Sequence, residues 1–165
     1  MEGKAYEWFF QMLRIMGEEK GLDFMKRVAA QKLRHTSGAT LTINLLAAAE
    51  FPVAVNVYGH EIEGMKRMAA PLEWVGVQPV VATPQLIGVA SHAQHPNAAK
   101  LFVDFALSKE GQELIKGFNR ISAREGVVSD PPRLTAGVKF YVLETKLAES
   151  MNRYHQLFRE VFGKK

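Results

Sequence analysis

The 165-residue sequence contains no cysteine, which excludes disulfide bonds, zinc–thiolate sites and thiol nucleophiles. It also lacks any apolar run close to the roughly 20 residues that a membrane-spanning helix needs. The segment MEGKAYEWFFQML at the N-terminus carries an acidic residue at position 2, no long apolar core and no small-residue cleavage site. These features do not fit a signal peptide.

A strong excess of one charge is also missing. The 21 Lys and Arg residues are nearly balanced by 17 Asp and Glu residues, which leaves a formal net charge of +4. Basic and acidic side chains stand next to one another, as at 18–20 and 109–110, and no basic stripe with interleaved aromatic residues occurs. This distribution is typical of solvated faces, so we predict that nucleic acid is not a partner.

Catalytic fingerprints are absent as well. The sequence has no P-loop, no dinucleotide-binding fingerprint and no Ser-His-Asp elbow. The HEIE segment at 60–63 begins like the HExxH metalloprotease motif, but Gly64 stands where the second His is needed. His92 and His95 are three residues apart and could share a metal only if their turn were helical. We therefore predict no enzymatic activity and no cofactor.

What the sequence does contain is mainly helical periodicity. With 47% apolar residues it can bury one sizeable core or two small ones. Ser108 is placed to cap a helix that carries Glu110 in its first turn, and Leu114, Ile115 and Phe118 are predicted to form the buried stripe of that helix. Apolar residues spaced by three or four predict helices at 5–16, 22–33, 60–70, 98–106, 108–118 and 140–161, with a short helix from 42 that Thr40 or Thr42 caps.

Extended segments complete an α/β pattern. FPVAVNVY at 51–58 is rich in β-branched and aromatic residues and predicts a buried strand. Residues 72–77 and 80–89 also favour extended structure, the latter mostly buried and interrupted by Pro84. Because ligands in open α/β sheets bind beyond the carboxyl ends of strands, the end of 51–58 and the following 59–60 are indicated as a site.

The candidate ligand-binding residues come from that strand end and from one turn. The turn HTSGAT places hydroxyl groups and a glycine immediately before a helix, where backbone N–H groups can meet an anion. The candidates are Ser37, Gly38, Thr40, Asn56 and Tyr58. The alternative is an ordinary helix-capping turn and a tyrosine at the edge of a domain.

The stretch 78–124 carries a resemblance to a known family. Its order is an apolar strand, then PNAAKLFVDFALSKEGQE, a basic residue and ISAR. This order closely resembles the C-terminal half of bacterial periplasmic solute-binding proteins of ABC importers, in particular the iron(III)-type and related family 1 proteins. The matching positions are Pro96, Asn97, Ala98, Ala99, Lys100, Leu101, Phe102, Phe105, Ser108, Lys109, Glu110, Gly111 and Gln112.

The resemblance implies a partial two-lobe fold of the type II periplasmic-binding-protein class. It places 1–76 in the second lobe, 77–127 in a segment that returns to the first lobe, and 128–165 in a loop and long helix that pack on the second lobe. It covers nearly the whole chain but about half of such a protein. We therefore expect apolar faces of 78–124 to be exposed in a lone copy, and a homo-oligomer to form through them.

The resemblance also bears on the ligand. Iron-binding members use two adjacent tyrosines at the end of the strand that corresponds to 51–58, whereas this chain has Val57 and Tyr58. Tyr58 is thus the one metal-ligand candidate, and a single phenolate is a poor site for ferric iron. Ser37 stands near the family position that contacts the accompanying anion, with Gly38 and Thr40 as further donors.

The function implied is that of a solute-binding component of an ABC importer, which captures a small anion, metal complex or organic solute by hinge closure between two lobes. Such a protein works in the periplasm or outside the cell, is peripheral to the membrane and delivers its ligand to an ABC permease. Two alternatives stay open: a non-transport interaction fragment that oligomerises, and the effector-sensing domain of a regulator.

Overall fold

The computed structural model describes residues 3–142 and 151–163, which divide into two compact units. Unit 1 comprises Met1–Val57, Val77–Thr83 and Phe140–Lys165, and unit 2 comprises Tyr58–Gly76 and Pro84–Lys139. The helices and strands are α1 Gly3–Met16, α2 Glu18–Ala29, α3 Ala39–Ala47, α4 Gly59–Arg67, β1 Val80–Ala82, α5 Pro96–Leu107, α6 Lys109–Gly117, a 3₁₀ turn Pro132–Leu134, β2 Phe140–Val142 and α7 Met151–Phe162.

Unit 1 is built on a core between α1, α2 and α7. Phe9 and Met25 are fully buried, and the ring of Phe9 meets that of Phe158 edge-on at 5.4 Å between centroids. Gly21 allows α1 and α2 to approach closely, because a Cβ there would lie 2.8 Å from Leu13 Cα. This core confirms the apolar stripe predicted for 5–16 and the part of the C-terminal stripe that lies in α7.

The two strands also belong to unit 1. β1 and β2 pair in parallel, with Val80 opposite Phe140 and Ala82 opposite Val142. Residues 140–142, predicted as the start of a long helix, are therefore a strand. The next part of that predicted helix, 143–150, lies outside the described residues, and α7 supplies its last three turns.

Unit 2 has a separate, smaller core. Ile62 of α4 is 1% exposed and Leu134 is 4% exposed, and Leu72 and Val127 are also buried. Gly59 at the start of α4 lies against two side chains of this core, since a Cβ there would be in ordinary van der Waals contact with Trp74 at 3.4 Å and with Leu134 at 3.6 Å. The helices predicted from 60, 98 and 108 are confirmed, because α4, α5 and α6 cover them.

Two predictions of buried structure are wrong. Residues 51–58 form no strand, and Val53 and Val55 are 72% and 56% exposed. Asn56 has a positive φ of 58°, which interrupts an extended ladder, and no described strand pairs with this segment. In the 80–89 stretch only β1 is a strand, and Leu86, two residues after Pro84, is 87% exposed.

The predicted buried stripe of α6 is also wrong in part, since Leu114 is 56% and Phe118 is 76% exposed. This exposure agrees with the separate expectation that a lone copy exposes apolar faces of 78–124. The exposed large apolar residues of that stretch are Leu86, Ile87, Val89, Leu101, Phe102, Phe105, Leu107, Leu114, Phe118 and Ile121.

The unit boundaries differ from the predicted segment boundaries at 76 and 127. Residues 58–76 group with 84–139, and 77–83 group with both ends of the chain. Assignment of these units to the lobes of a larger two-lobe protein stays a prediction. Within residues 3–142 and 151–163, no helix combines the length and the apolar composition that a bilayer span needs.

Candidate functional site

Three of the predicted ligand-binding residues lie together at the N-terminus of α3. Gly38 is the N-cap residue, with φ 112° and ψ 157°, a conformation that favours glycine. A glycine at the N-cap has no side chain with which to cap α3, and the side chains of Ser37 and Thr40 are exposed. The turn therefore places the Ser37 hydroxyl next to the positive end of a helix, a location that suits an anion.

The capping roles predicted for Thr40 and Thr42 are wrong. α3 begins at Ala39, so both threonines lie inside its first turn instead of at the cap. The Thr42 hydroxyl donates to Gly38 O at 2.8 Å and also contacts the Thr36 hydroxyl. These bonds hold the turn that precedes the helix against its first turn.

Asn56 and Tyr58 are placed differently. Asn56 is exposed in the segment that follows α3 and belongs to unit 1, whereas Tyr58 is half-buried and begins unit 2. The Tyr58 carbonyl accepts hydrogen bonds from the N–H groups of Glu61 and Ile62, at 3.1 and 3.2 Å, and the Tyr58 ring lies 5.2 Å from that of His60. The structure thus brings Ser37, Gly38 and Thr40 into one turn of unit 1, whereas Tyr58 belongs to the other unit.

A cavity of about 630 Å³ lies within unit 2, at the corner between α5 and α6. None of the predicted site residues lines it. Its walls are formed by Leu107, Gln112, Ala123, Arg124, Glu125 and Gly126.

Hydrogen bonds fix the polar wall of this cavity. The buried Gln112 donates from Nε2 to Ala106 O at 2.7 Å and accepts at Oε1 from the Ser122 hydroxyl at 2.8 Å and from Ala123 N at 3.0 Å. Arg124 donates from Nη1 to Leu107 O at 3.1 Å. The carboxamide and the guanidinium thereby satisfy carbonyl groups at the C-terminus of α5, which is a structural role.

A charged cluster forms the second polar feature of unit 2. Arg133 pairs with the buried Glu63 and with Glu73, the latter at 2.8 Å, and its guanidinium lies 5.5 Å from the ring centroid of Trp74. The Trp74 indole N–H also donates to Glu63. The positive guanidinium compensates the charge of the buried carboxylate, and the indole N–H satisfies a further hydrogen bond.

The same cluster shifts two pKa values. The hydrogen bond from Arg133, then those from Lys66 and the backbone N–H of Trp74, lower the pKa of Glu73 from 4.5 to about 2. The hydrogen bond to Glu73 raises the pKa of Arg133 above its ordinary value. Both groups are thus held in their charged forms at neutral pH.

Sequence reasoning missed this cluster. The sequence presents Glu63 only as part of HEIE, and its partner Arg133 lies 70 positions further along the chain. No local spacing signals such a pair.

The metal alternatives gain no geometric support: among the described residues, no group of three or more His, Asp or Glu side chains could hold a metal ion.

Comparison with known proteins finds similarity to part of a longer protein. The chain is 34% identical over 115 residues to a protein of Haemophilus influenzae described as an uncharacterized protein. The match covers 68% of this chain and 32% of that protein, so it spans about a third of the length of the relative. No protein-family model matches the chain. No solved structure matches it either.

Proposed function

We propose that this chain is a solute-binding component of an ABC importer, corresponding to the C-terminal half of a two-lobe protein. In this role it captures a small anion, metal complex or organic solute and performs no chemistry on it. The intact system would use it in the periplasm or outside the cell, peripheral to the membrane, to deliver the ligand to a permease.

The observation that carries the proposal is the way in which the signature residues build the α5–α6 corner. Ser108 caps α6 by accepting a hydrogen bond from Gly111 N at 3.1 Å. Gly111 leaves room for the end of α5, because a Cβ there would lie 2.2 Å from Phe105 O. Gln112 then ties that end to Ser122 and Ala123.

The residues on which the resemblance rests are therefore used together, as one structural unit. A chance match of composition would not be expected to place a cap, an obligatory glycine and a buried carboxamide in successive contacts. The similarity to a stretch of a longer H. influenzae protein is compatible with this proposal, since the proposal likewise treats this chain as corresponding to part of a longer protein.

The proposed ligand-binding residues are Ser37, Gly38, Thr40, Asn56 and Tyr58. The exposed Ser37 side chain and the glycine at the N-cap of α3, which has no side chain to cap the helix, favour an anionic group. Tyr58 remains the one metal-ligand candidate and would need the ligand to supply further donors.

Thermal unfolding in the presence of phosphate, sulfate, carbonate, citrate and ferric citrate tests this proposal. A ligand at 100 times its Kd stabilises a protein by about 2.7 kcal/mol, which is a measurable rise in Tm. We expect at least one of these anions to raise Tm, and Ser37→Ala to weaken its binding about tenfold by calorimetry. Ser91→Ala, an exposed serine of unit 2, is the matched control. If every anion fails at millimolar concentration, or if both variants bind equally, the proposed site is wrong.

A second candidate function is that of an interaction module, and the exposed apolar residues of α5 and α6 favour it. Leu101 is 71% exposed and Phe118 is 76% exposed, far more than a self-contained core helix allows. Solute capture predicts stabilisation by a small molecule, whereas an interaction module predicts stabilisation by protein concentration.

A further inference from the structure

The outer face of α5 is an apolar stripe with a charged edge. Ala99, Val103 and Ala106 are half-buried on the side that packs within unit 2. On the opposite side, Leu101, Phe102 and Phe105 are 71%, 62% and 41% exposed. At 3.6 residues per turn, Leu101 and Phe105 form one stripe with Phe102 beside it.

The charged edge consists of two residues of opposite sign. Lys100 and Asp104 lie one turn apart along the other side of the Leu101–Phe105 stripe, and both are exposed. Among the described residues, neither takes part in an ion pair, although ion pairs of comparable exposure form elsewhere, as between Arg34 and Glu50 at 3.0 Å. This edge therefore offers one unpaired charge of each sign.

The spacing of these two charges makes the face complementary to itself. Position 102 lies midway between 100 and 104, so an antiparallel pairing of two α5 helices centred there sets each Lys100 opposite the partner's Asp104. In a two-fold symmetric contact every such pair occurs twice. The same pairing covers Leu101, Phe102 and Phe105 of both copies.

From this complementarity we propose that the outer face of α5 is a homodimer interface, and that its occupant is a second copy of this chain in antiparallel orientation. The proposal concerns assembly and does not rest on solute capture. The apolar stripe supplies the burial, and the two Lys100–Asp104 contacts set the orientation and register.

Analytical ultracentrifugation over a range from 1 to several hundred μM tests this proposal, with native mass spectrometry to count subunits. We expect the wild-type chain to form dimers. Leu101→Glu should abolish the dimer at every concentration. Lys100→Glu places like charges opposite each other twice and should weaken the dimer about tenfold.

The charge-swap variant Lys100→Glu/Asp104→Lys separates this interface from any other. It restores both ion pairs with reversed polarity, so its dimer affinity should return to within a few-fold of the wild type. Lys32→Glu, an exposed lysine of unit 1, is the control for the change in net charge and should leave the dimer intact. Circular dichroism establishes that each variant is folded.

Four results would overturn the proposal. The first is a wild-type chain that stays monomeric at the highest concentration, and the second is a dimer that survives Leu101→Glu. The third is a double variant whose dimer affinity is no higher than that of Lys100→Glu. The fourth is an α5 face that binds a different polypeptide and not a second copy of this chain. None of these results bears on anion binding at the turn before α3, so the two proposals fail separately.

Discussion

Among single residues, Glu73 has the clearest measurable consequence. Its carboxylate accepts hydrogen bonds from Arg133, Lys66 and the backbone of Trp74, and these lower its pKa from 4.5 to about 2. Because the folded-state pKa lies below the unfolded value, ionised Glu73 stabilises the fold fully above pH 4.5. That stabilisation is lost as the pH falls through about 2.

We therefore expect Glu73→Gln to reduce the free energy of unfolding at pH 7. On acidification this reduction should disappear, because Glu73 of the wild type becomes protonated. The difference between wild type and variant should be constant above about pH 5 and should shrink between pH 4.5 and 2. Urea unfolding at a series of pH values measures it. In an Arg133→Gln background the largest cause of the shift is gone, so most of the pH dependence of the difference should disappear. A difference that is independent of pH in the wild-type background would contradict the assignment.

Single-residue roles could be predicted from the sequence only where both partners lie close together along the chain. The cap role of Ser108 was predictable, because its partner Gly111 lies three positions away and the spacing is characteristic. The pairing of Glu63 with Arg133 was not, because the fold brings together positions 70 apart. Of the predicted ligand-binding residues, only those within one turn could be grouped reliably from the sequence.

At the scale of elements, the corner between α5 and α6 depends on a glycine that can be tested against another in the same helix. A Cβ at Gly111 would lie 2.2 Å from Phe105 O and 3.0 Å from Ala106 Cα, both of them backbone atoms. A Cβ at Gly117 would meet nothing within 4 Å. We expect Gly111→Ala to destabilise unit 2 by about 3 kcal/mol. Gly117→Ala should be neutral or stabilise it by up to about 1 kcal/mol.

Denaturant unfolding in a Trp8→Phe background, monitored by the fluorescence of Trp74, provides the measurement, because Trp74 belongs to unit 2. Both variants remove a helical glycine and so change the unfolded chain alike, which leaves the steric contact as the difference between them. Equal effects of the two substitutions would show that the α5–α6 contact is not as close as the structure has it.

Helices were more predictable than strands for a physical reason. The hydrogen bonds of a helix are local, so a periodic stripe such as that of 5–16 needs only one surface to pack against. A strand needs a neighbour. Residues 51–58 have the composition of a strand, but no described strand pairs with them, and they form none. Similarly, the stripe of Leu114 and Phe118 identifies an amphipathic helix without indicating what covers it.

At the scale of the whole molecule, each unit has its own core and its own tryptophan, which can report on the unfolding of that unit. Trp8 packs against the core of unit 1, which includes the fully buried Met25. Trp74 lies in unit 2, whose core includes Ile62. The division itself was not predictable from the sequence, because unit 1 gathers three separate segments of the chain.

These separate cores predict that each tryptophan reports mainly on its own unit. In the Trp74→Phe background, where Trp8 is the reporter, Met25→Ala should shift the urea midpoint more than Ile62→Ala does. In the Trp8→Phe background the order should reverse. Removal of either buried side chain costs about 2 to 5 kcal/mol, so the shifts are large enough to rank.

Each comparison is made within one single-tryptophan background, since Trp74→Phe also removes the hydrogen bond from the indole N–H to Glu63. Identical midpoints from both reporters, moved equally by both core substitutions, would show that the two units unfold as one cooperative block. If the midpoints are distinct, anion binding in unit 1 should raise mainly the urea midpoint that Trp8 reports. Dimerisation through α5 should raise mainly the midpoint that Trp74 reports. The two single-tryptophan backgrounds would then distinguish anion binding from dimerisation.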